Sequence, residues 1–324
     1  MRQLFCIFVA LVCSSVVAGP TRWAEMNQSK TIDPKQSAGL FVGVSLFPYD
    51  DNLASVPYAV DDAVDLAYEL TMERDPVLVD PKRVVLALSG KPQKPESQEK
   101  LRKLLAAGVP PAVDAGFSEI MKQIESQSRS VGKGGILFVG FATHGVSEDG
   151  TQYLLTSGSS LARIHHDLTD AEVRDIVSRN GVARSIIFID ACRERLRKDR
   201  RNGEADPLSK AAFLRDVSRI NGQVVFSAAT NGGYAYDDEE RRNGVFTATI
   251  IEGLRCGAQT NASGFVTADT LHSFVEARVL AWLQAHKDPG AKKATQWTSE
   301  GNSKDLPLSI CASHSAASLR QPAR

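Results

Sequence analysis

The chain has 324 residues, a length for one large or two modest domains and enough to bury a core without disulfide or metal staples. Hydrophobic residues make up 43% and charged residues 23%, which excludes a disordered, collagenous or coiled-coil protein. The 38 Lys and Arg balance 38 Asp and Glu, so the basic surplus of a nucleic-acid coat is missing and no nucleic-acid partner is expected.

Arg2, the apolar run 4–13 and the small residues up to Ala18 read as a signal peptide over residues 1–18. The run is too short to span a bilayer, and no later run is longer, so the mature chain is expected to carry no membrane span. Such a leader predicts an exported protein, periplasmic or secreted. Export bears on the cysteines, because Cys6 and Cys13 leave with the leader and Cys192, Cys256 and Cys311 remain. An odd count in an oxidising compartment points to one free thiol. Whether Cys256 and Cys311 form a disulfide stays open, since spacing does not give their distance.

From residue 37 onward the chain alternates. Apolar, β-branched runs at 39–47, 83–89, 135–141, 185–190 and 223–228 predict strands, mostly buried on both faces as in a parallel sheet. Between them, helical spacing predicts helices at 60–72, 119–128, 169–178, 243–254 and 267–286. Thr169 is a candidate N-cap, with Asp170 and Glu172 in the first turn. A last strand is predicted at 306–310. Segments 89–111, 193–219 and 287–304 read as loops or insertions, the first around a charged helical stretch. The pattern is an α/β sandwich in one domain, 37–311, with 312–324 as a flexible tail.

In an open parallel sheet, chemistry gathers at the carboxyl ends of strands. Two strands end suggestively here: one runs into His144-Gly145, the other into Asp190-Ala191-Cys192-Arg193. A His and a Cys at one sheet edge form a nucleophile and proton-transfer pair. The free thiol, with a pKa near 8.5, needs such an imidazole to be useful at neutral pH. The N–H groups of Gly145 and Cys192 would form an oxyanion hole.

These residues resemble the caspase-like cysteine peptidases, the group of caspases, metacaspases and paracaspases. Caspases read Gln-Ala-Cys-Arg-Gly at the nucleophile, with the His about 50 residues upstream. Here His144 precedes Cys192 by 48 positions. Asp190 replaces the caspase Gln, as in bacterial-type metacaspase and paracaspase domains. Further likeness lies in Phe41-Val-Gly-Val44, Val60-Asp-Asp-Ala63, Val225-Phe-Ser-Ala-Ala-Thr230 and Asn243-Gly-Val-Phe-Thr247, together spanning about residues 38–310. The resemblance implies a three-layer α/β/α sandwich around a mainly parallel sheet of about six strands. It implies a cysteine endopeptidase with a His144/Cys192 dyad, Gly145 and Cys192 at the oxyanion, and Asp62 and Asp190 in the substrate pocket.

Two pocket carboxylates would attract a guanidinium or ammonium, so the expected substrates are proteins or peptides cut after Arg or Lys. Metacaspases commonly carry Ser two residues before the His, where this chain has Ala142, and the choice between Arg and Lys stays open. Asp237 and Asp238 are further candidates for the cleft rim. No cofactor is required, and calcium activation is undetermined: the acidic run 237–240 lacks the alternating spacing of a calcium loop. No metal site is assigned, since His165, His166 and Asp167 are adjacent and lack a third ligand spacing. The competing reading is a catalytically silent caspase-like domain acting as a protein-binding module.

Overall fold

The computed structural model describes residues 32–74, 77–148, 151–191, 194–195, 222–228, 235–286, 296–299 and 305–311. The expected leader 1–18, the expected nucleophile Cys192 and the expected tail 312–324 lie outside the described residues.

In chain order the main elements begin with β1 (Ala38–Val44), α1 (Ala59–Thr71), β2 (Val84–Ser89), α2 (Pro95–Ala106), β3 (Val113–Asp114) and α3 (Phe117–Ser130). There follow β4 (Leu137–Thr143), β5 (Gly145–Glu148), β6 (Thr151–Leu154), β7 (Leu168–Thr169), α4 (Asp170–Arg179), β8 (Ser185–Ala191) and β9 (Glu194–Arg195). The remainder are β10 (Gln223–Ser227), β11 (Asp237–Asp238), β12 (Asn243–Gly244), α5 (Val245–Glu252), β13 (Phe265–Thr267), α6 (Ala268–His286), β14 (Gln296–Ser299) and β15 (Pro307–Ile310).

The central sheet has the order β14-β10-β8-β4-β1-β2-β3. Its six strands from β10 to β3 run parallel, and β14 closes the edge antiparallel to β10. Successive side chains in a strand point to opposite faces, and both faces here are apolar. Phe41, Ile186, Phe188 and Phe226 pack on one side against α1, α5 and α6. Leu40, Val42, Ile187 and Ile189 pack on the other against α3 and α4. This is the three-layer α/β/α sandwich the sequence implied.

Local chemistry explains several boundaries. Thr169 accepts from the Glu172 N–H while Glu172 reaches back to the Thr169 N–H, a complete capping box that starts α4. Helix α1 lies close on β1 because Gly43 has no side chain: a Cβ there would stand 2.7 Å from the Ala59 carbonyl. Two expected loops contain strands. Within 287–304 lies β14, and within 193–219 lies β9, which pairs parallel to β5. Neither carries an apolar run, because an edge strand is held by main-chain ladder bonds that polar sequences make equally well.

The strands β7, β6, β5 and β9 form a separate four-stranded sheet, and β13 pairs with β15. A disulfide joins Cys256, in the turn after α5, to Cys311 after β15, closing a separation of 55 residues. Among the described residues no helix is long and apolar enough to cross a membrane.

Candidate active site

The loop after β1 and the carboxyl ends of β4 and β8 open onto one cleft of about 100 Å³, with Asp62, Ala142, His144, Asp190 and Asp237 in its lining. Strand register explains the convergence. Thr143 on β4 stands opposite Ala191 on β8, and Ala142 opposite Asp190. His144 is the next residue after Thr143, and Cys192 the next after Ala191 in sequence. Further along the sequence, Glu194 pairs with Val146 of β5.

His144 is half-buried and held from two sides. Its Nε2–H donates to the Ala54 carbonyl at 2.8 Å, and its ring stacks on Phe47 with centroids 5.2 Å apart. Both partners come from the loop between β1 and α1. The hydrogen bond fixes the tautomer of the neutral ring and leaves Nδ1 as the basic nitrogen. Gly145 begins β5 directly after it.

Asp190, the penultimate residue of β8, is 8% exposed. Its Oδ2 accepts from the Thr247 N–H at 3.1 Å and from Thr247 Oγ1 at 2.7 Å. Burial pushes its pKa up to about 6 despite those bonds, with the charge of Asp237 adding to the rise.

Asp62 is 3% exposed, so it is not the solvated first-turn acid that its place near the start of α1 allows. The Gly244 N–H lies 3.0 Å from both its oxygens, and Asn243 Nδ2 donates to Oδ1 at 2.8 Å. Burial first, and then the negative charge of Asp190, raise its pKa well above the ordinary carboxylate value. Gly244 separates the two acids: a Cβ on it would fall 2.3 Å from Asp190 Oδ2 and 3.0 Å from Asp62 Oδ2. Only glycine lets the backbone pass between two carboxylates at this distance.

Asp237 also lines the cleft. Burial and the neighbouring Glu239 raise its pKa, while His144 offsets part of the rise. Among the described residues lining the cleft there is no Lys or Arg, so three carboxylates share it with one imidazole. Such a site favours a cation that arrives with a ligand.

The structure thus brings His144, Asp62, Asp190 and Asp237 into one cleft, with Gly145 adjoining. Asp238 does not share it. Its carboxylate caps the following turn through the Glu240 and Arg241 N–H groups and accepts from Trp282. Sequence reading missed the two features that hold His144, Ala54 and Phe47, because a carbonyl and a stacked ring in a loop leave no pattern. It quoted Asn243 and Thr247 only as parts of a motif, without their carboxylate partners. Among the described residues no group of three or more His, Cys, Asp and Glu could hold a metal ion.

Comparison with known proteins follows the same line. The Peptidase C14 family model, the caspase domain, matches residues 99–307. Among solved structures, caspase-1 from Spodoptera frugiperda is similar at a TM-score of 0.54 and 16% identity, over 88% of this chain and 94% of that one. Protein GSU0716 from Geobacter sulfurreducens is similar at a TM-score of 0.52 and 12% identity, over 86% of this chain and 100% of that one. At these identities the likeness is one of fold. No curated protein matches the chain by sequence.

Proposed function

Because the chain belongs to the caspase-domain family, a family of cysteine peptidases, we propose that it is an endopeptidase that cuts after Arg or Lys. The observation that carries the specificity is the cleft beside His144, lined by Asp62, Asp190 and Asp237 with no Lys or Arg among the described residues of its lining. A guanidinium or ammonium entering there meets buried carboxylates in a medium of low dielectric, where charge-assisted hydrogen bonds are strong. An acidic side chain would meet repulsion instead.

In the proposed reaction, Cys192 Sγ attacks the scissile carbonyl carbon and the carbonyl electrons move onto oxygen. The N–H groups of Gly145 and Cys192 hold that oxyanion. As the tetrahedral intermediate collapses, the C–N bond breaks and His144 gives the thiol's proton to the leaving amine. Water then attacks the thioester with His144 as base, releasing the acid and restoring the thiol. The Ala54 carbonyl suits this cycle because it stabilises the imidazolium that forms between the two steps. What supports this reading is that β9, which begins two residues after Cys192 in sequence, pairs with β5, which begins at Gly145.

Export supplies the setting, with proteins or peptides as partners. The Cys256–Cys311 disulfide supports it, since such bridges persist in oxidising compartments. The decisive experiment is a fluorogenic peptide panel varying only the residue before the bond, run with and without calcium. Turnover confined to Arg and Lys peptides is the expected result. Faster cleavage after Asp would overturn the pocket assignment, and no cleavage of any peptide would favour the binding-module reading.

A further inference from the structure

Behind the cleft lies a second, fully satisfied layer of polar groups. The Asn243 amide sits at its centre, 7% exposed. One end, Nδ2, donates to Asp62 Oδ1 at 2.8 Å and to Asp65 Oδ2 at 3.1 Å. The other end, Oδ1, accepts a short hydrogen bond from Lys94 Nζ. Lys94 is 7% exposed and also donates to Asp65 Oδ2 at 2.5 Å. The lysine backbone is itself anchored, since the N–H groups of Gln93 and Lys94 both donate to Asp61.

The donor inventory of these groups decides the direction of the amide. An ammonium only donates, an ionised carboxylate only accepts, and an amide does one at each end. With Lys94 in place, Asn243 has a single orientation that satisfies everyone: oxygen toward Lys94, nitrogen toward Asp62. Without Lys94, the amide oxygen loses its donor and a flipped amide would set that oxygen against the Asp62 carboxylate. Such a flip removes the hydrogen bond from Nδ2 and, with Asp62 ionised beside a cationic ligand, adds repulsion at the pocket wall.

We propose that Lys94 is a positioning residue for the cleft: by fixing the Asn243 amide, it keeps the Asp62 carboxylate aimed at an incoming basic side chain. Lys94 does not line the cleft, so it acts through Asn243. This inference rests on reading the cleft as a pocket for a basic residue, and it adds the group that sets that pocket's geometry. It also accounts for an ammonium placed so close to an acidic pocket without neutralising it: Lys94 is spent on Asp65 and on the amide oxygen.

The test measures binding in the full chain carrying Cys192→Ala, so that no turnover intervenes. The probes are two short peptides ending in arginine amide or in its neutral isostere, citrulline amide, titrated by calorimetry. In the Cys192→Ala parent the arginyl peptide should bind more tightly. Adding Lys94→Met should weaken the arginyl peptide about tenfold, the scale of one charge-assisted hydrogen bond, and change the citrullyl peptide less than about twofold. Asn243→Ser removes the amide fork without adding bulk and should give the same selective loss. If Lys94→Met does not fold, as judged by thermal unfolding, Asn243→Ser decides alone. A parent that binds both peptides equally defeats the pocket reading itself. A discriminating parent whose folded variants discriminate equally well overturns the role of Lys94 and leaves the pocket standing.

Discussion

Asp62 and Asp65 stand three residues apart on one helix, and both are 3% exposed, yet they live in opposite electrostatic regimes. Asp65 faces α2, where Lys94 and Lys100 lie 2.5 and 3.0 Å away and Ser97 donates at 2.7 Å. Burial alone would raise its pKa, but the two ammonium groups hold it below the ordinary value. Asp62 faces the cleft, where its neighbours are neutral donors and other carboxylates, and its pKa goes up. A buried carboxylate paired with a cation holds two elements together. One left with neutral donors and other carboxylates is pushed toward its neutral form, and a cation arriving with a ligand would restore the charge.

The largest effect should come from the proposed dyad, His144 and Cys192, rather than from either acid. Cys192→Ala or His144→Ala should lower kcat on an arginyl fluorogenic substrate by at least about 1,000-fold while the thermal transition stays in place. Undiminished turnover in Cys192→Ala would sink the dyad.

The paired side of the comparison breaks next. Asp65→Asn leaves Lys94 buried without its carboxylate and should cost about 3–5 kcal/mol, read from urea unfolding at neutral pH. A cost below about 1 kcal/mol would mean that α1 and α2 are not joined through this acid.

On the other side the sign reverses. Asp190→Asn should reduce kcat/KM on arginyl substrates by one to two decades, the scale of a lost charge-assisted contact of roughly 1.5–3 kcal/mol. The same variant should be more stable than the parent at pH 7.5, by on the order of 1–3 kcal/mol. Asp190 has a folded pKa of about 6, above its unfolded value. Its contribution to stability is therefore full in acid and is lost as pH rises from about 4 through about 6. The gap between variant and parent should open across that window and stay flat above it. A variant that is both less active and less stable would place Asp190 with Asp65, as a structural acid.

The smallest effect is the pH dependence of recognition. In a Cys192→Ala background, the Kd of an arginyl peptide should rise a few-fold between pH 7.5 and 5.5, as Asp190, with its pKa of about 6, takes up a proton. The citrullyl peptide should show no such rise. Equal responses from both peptides would remove the cleft acids from the explanation.

Much of this molecule was legible before its structure. Strands without alternation meant a sheet covered on both faces, and the sandwich has both its apolar layers. His144 and Asp190 each follow or end a strand in the sequence itself, so a parallel sheet places them at one edge. Those inferences use periods and neighbours within a few residues, which local sequence carries in full. The different work of Asp62 and Asp65 was not legible, because both are acids on one short helix. Their partners at Asn243 and Gly244 come from 178 to 182 positions away, brought by the β11–β12 ribbon, and Lys94 arrives from the residue just before α2. A carboxylate's charge state depends on the donors and cations around it, and those are set only when distant elements pack. For the same reason the Ala54 carbonyl, 90 positions from His144, was found only in the folded chain.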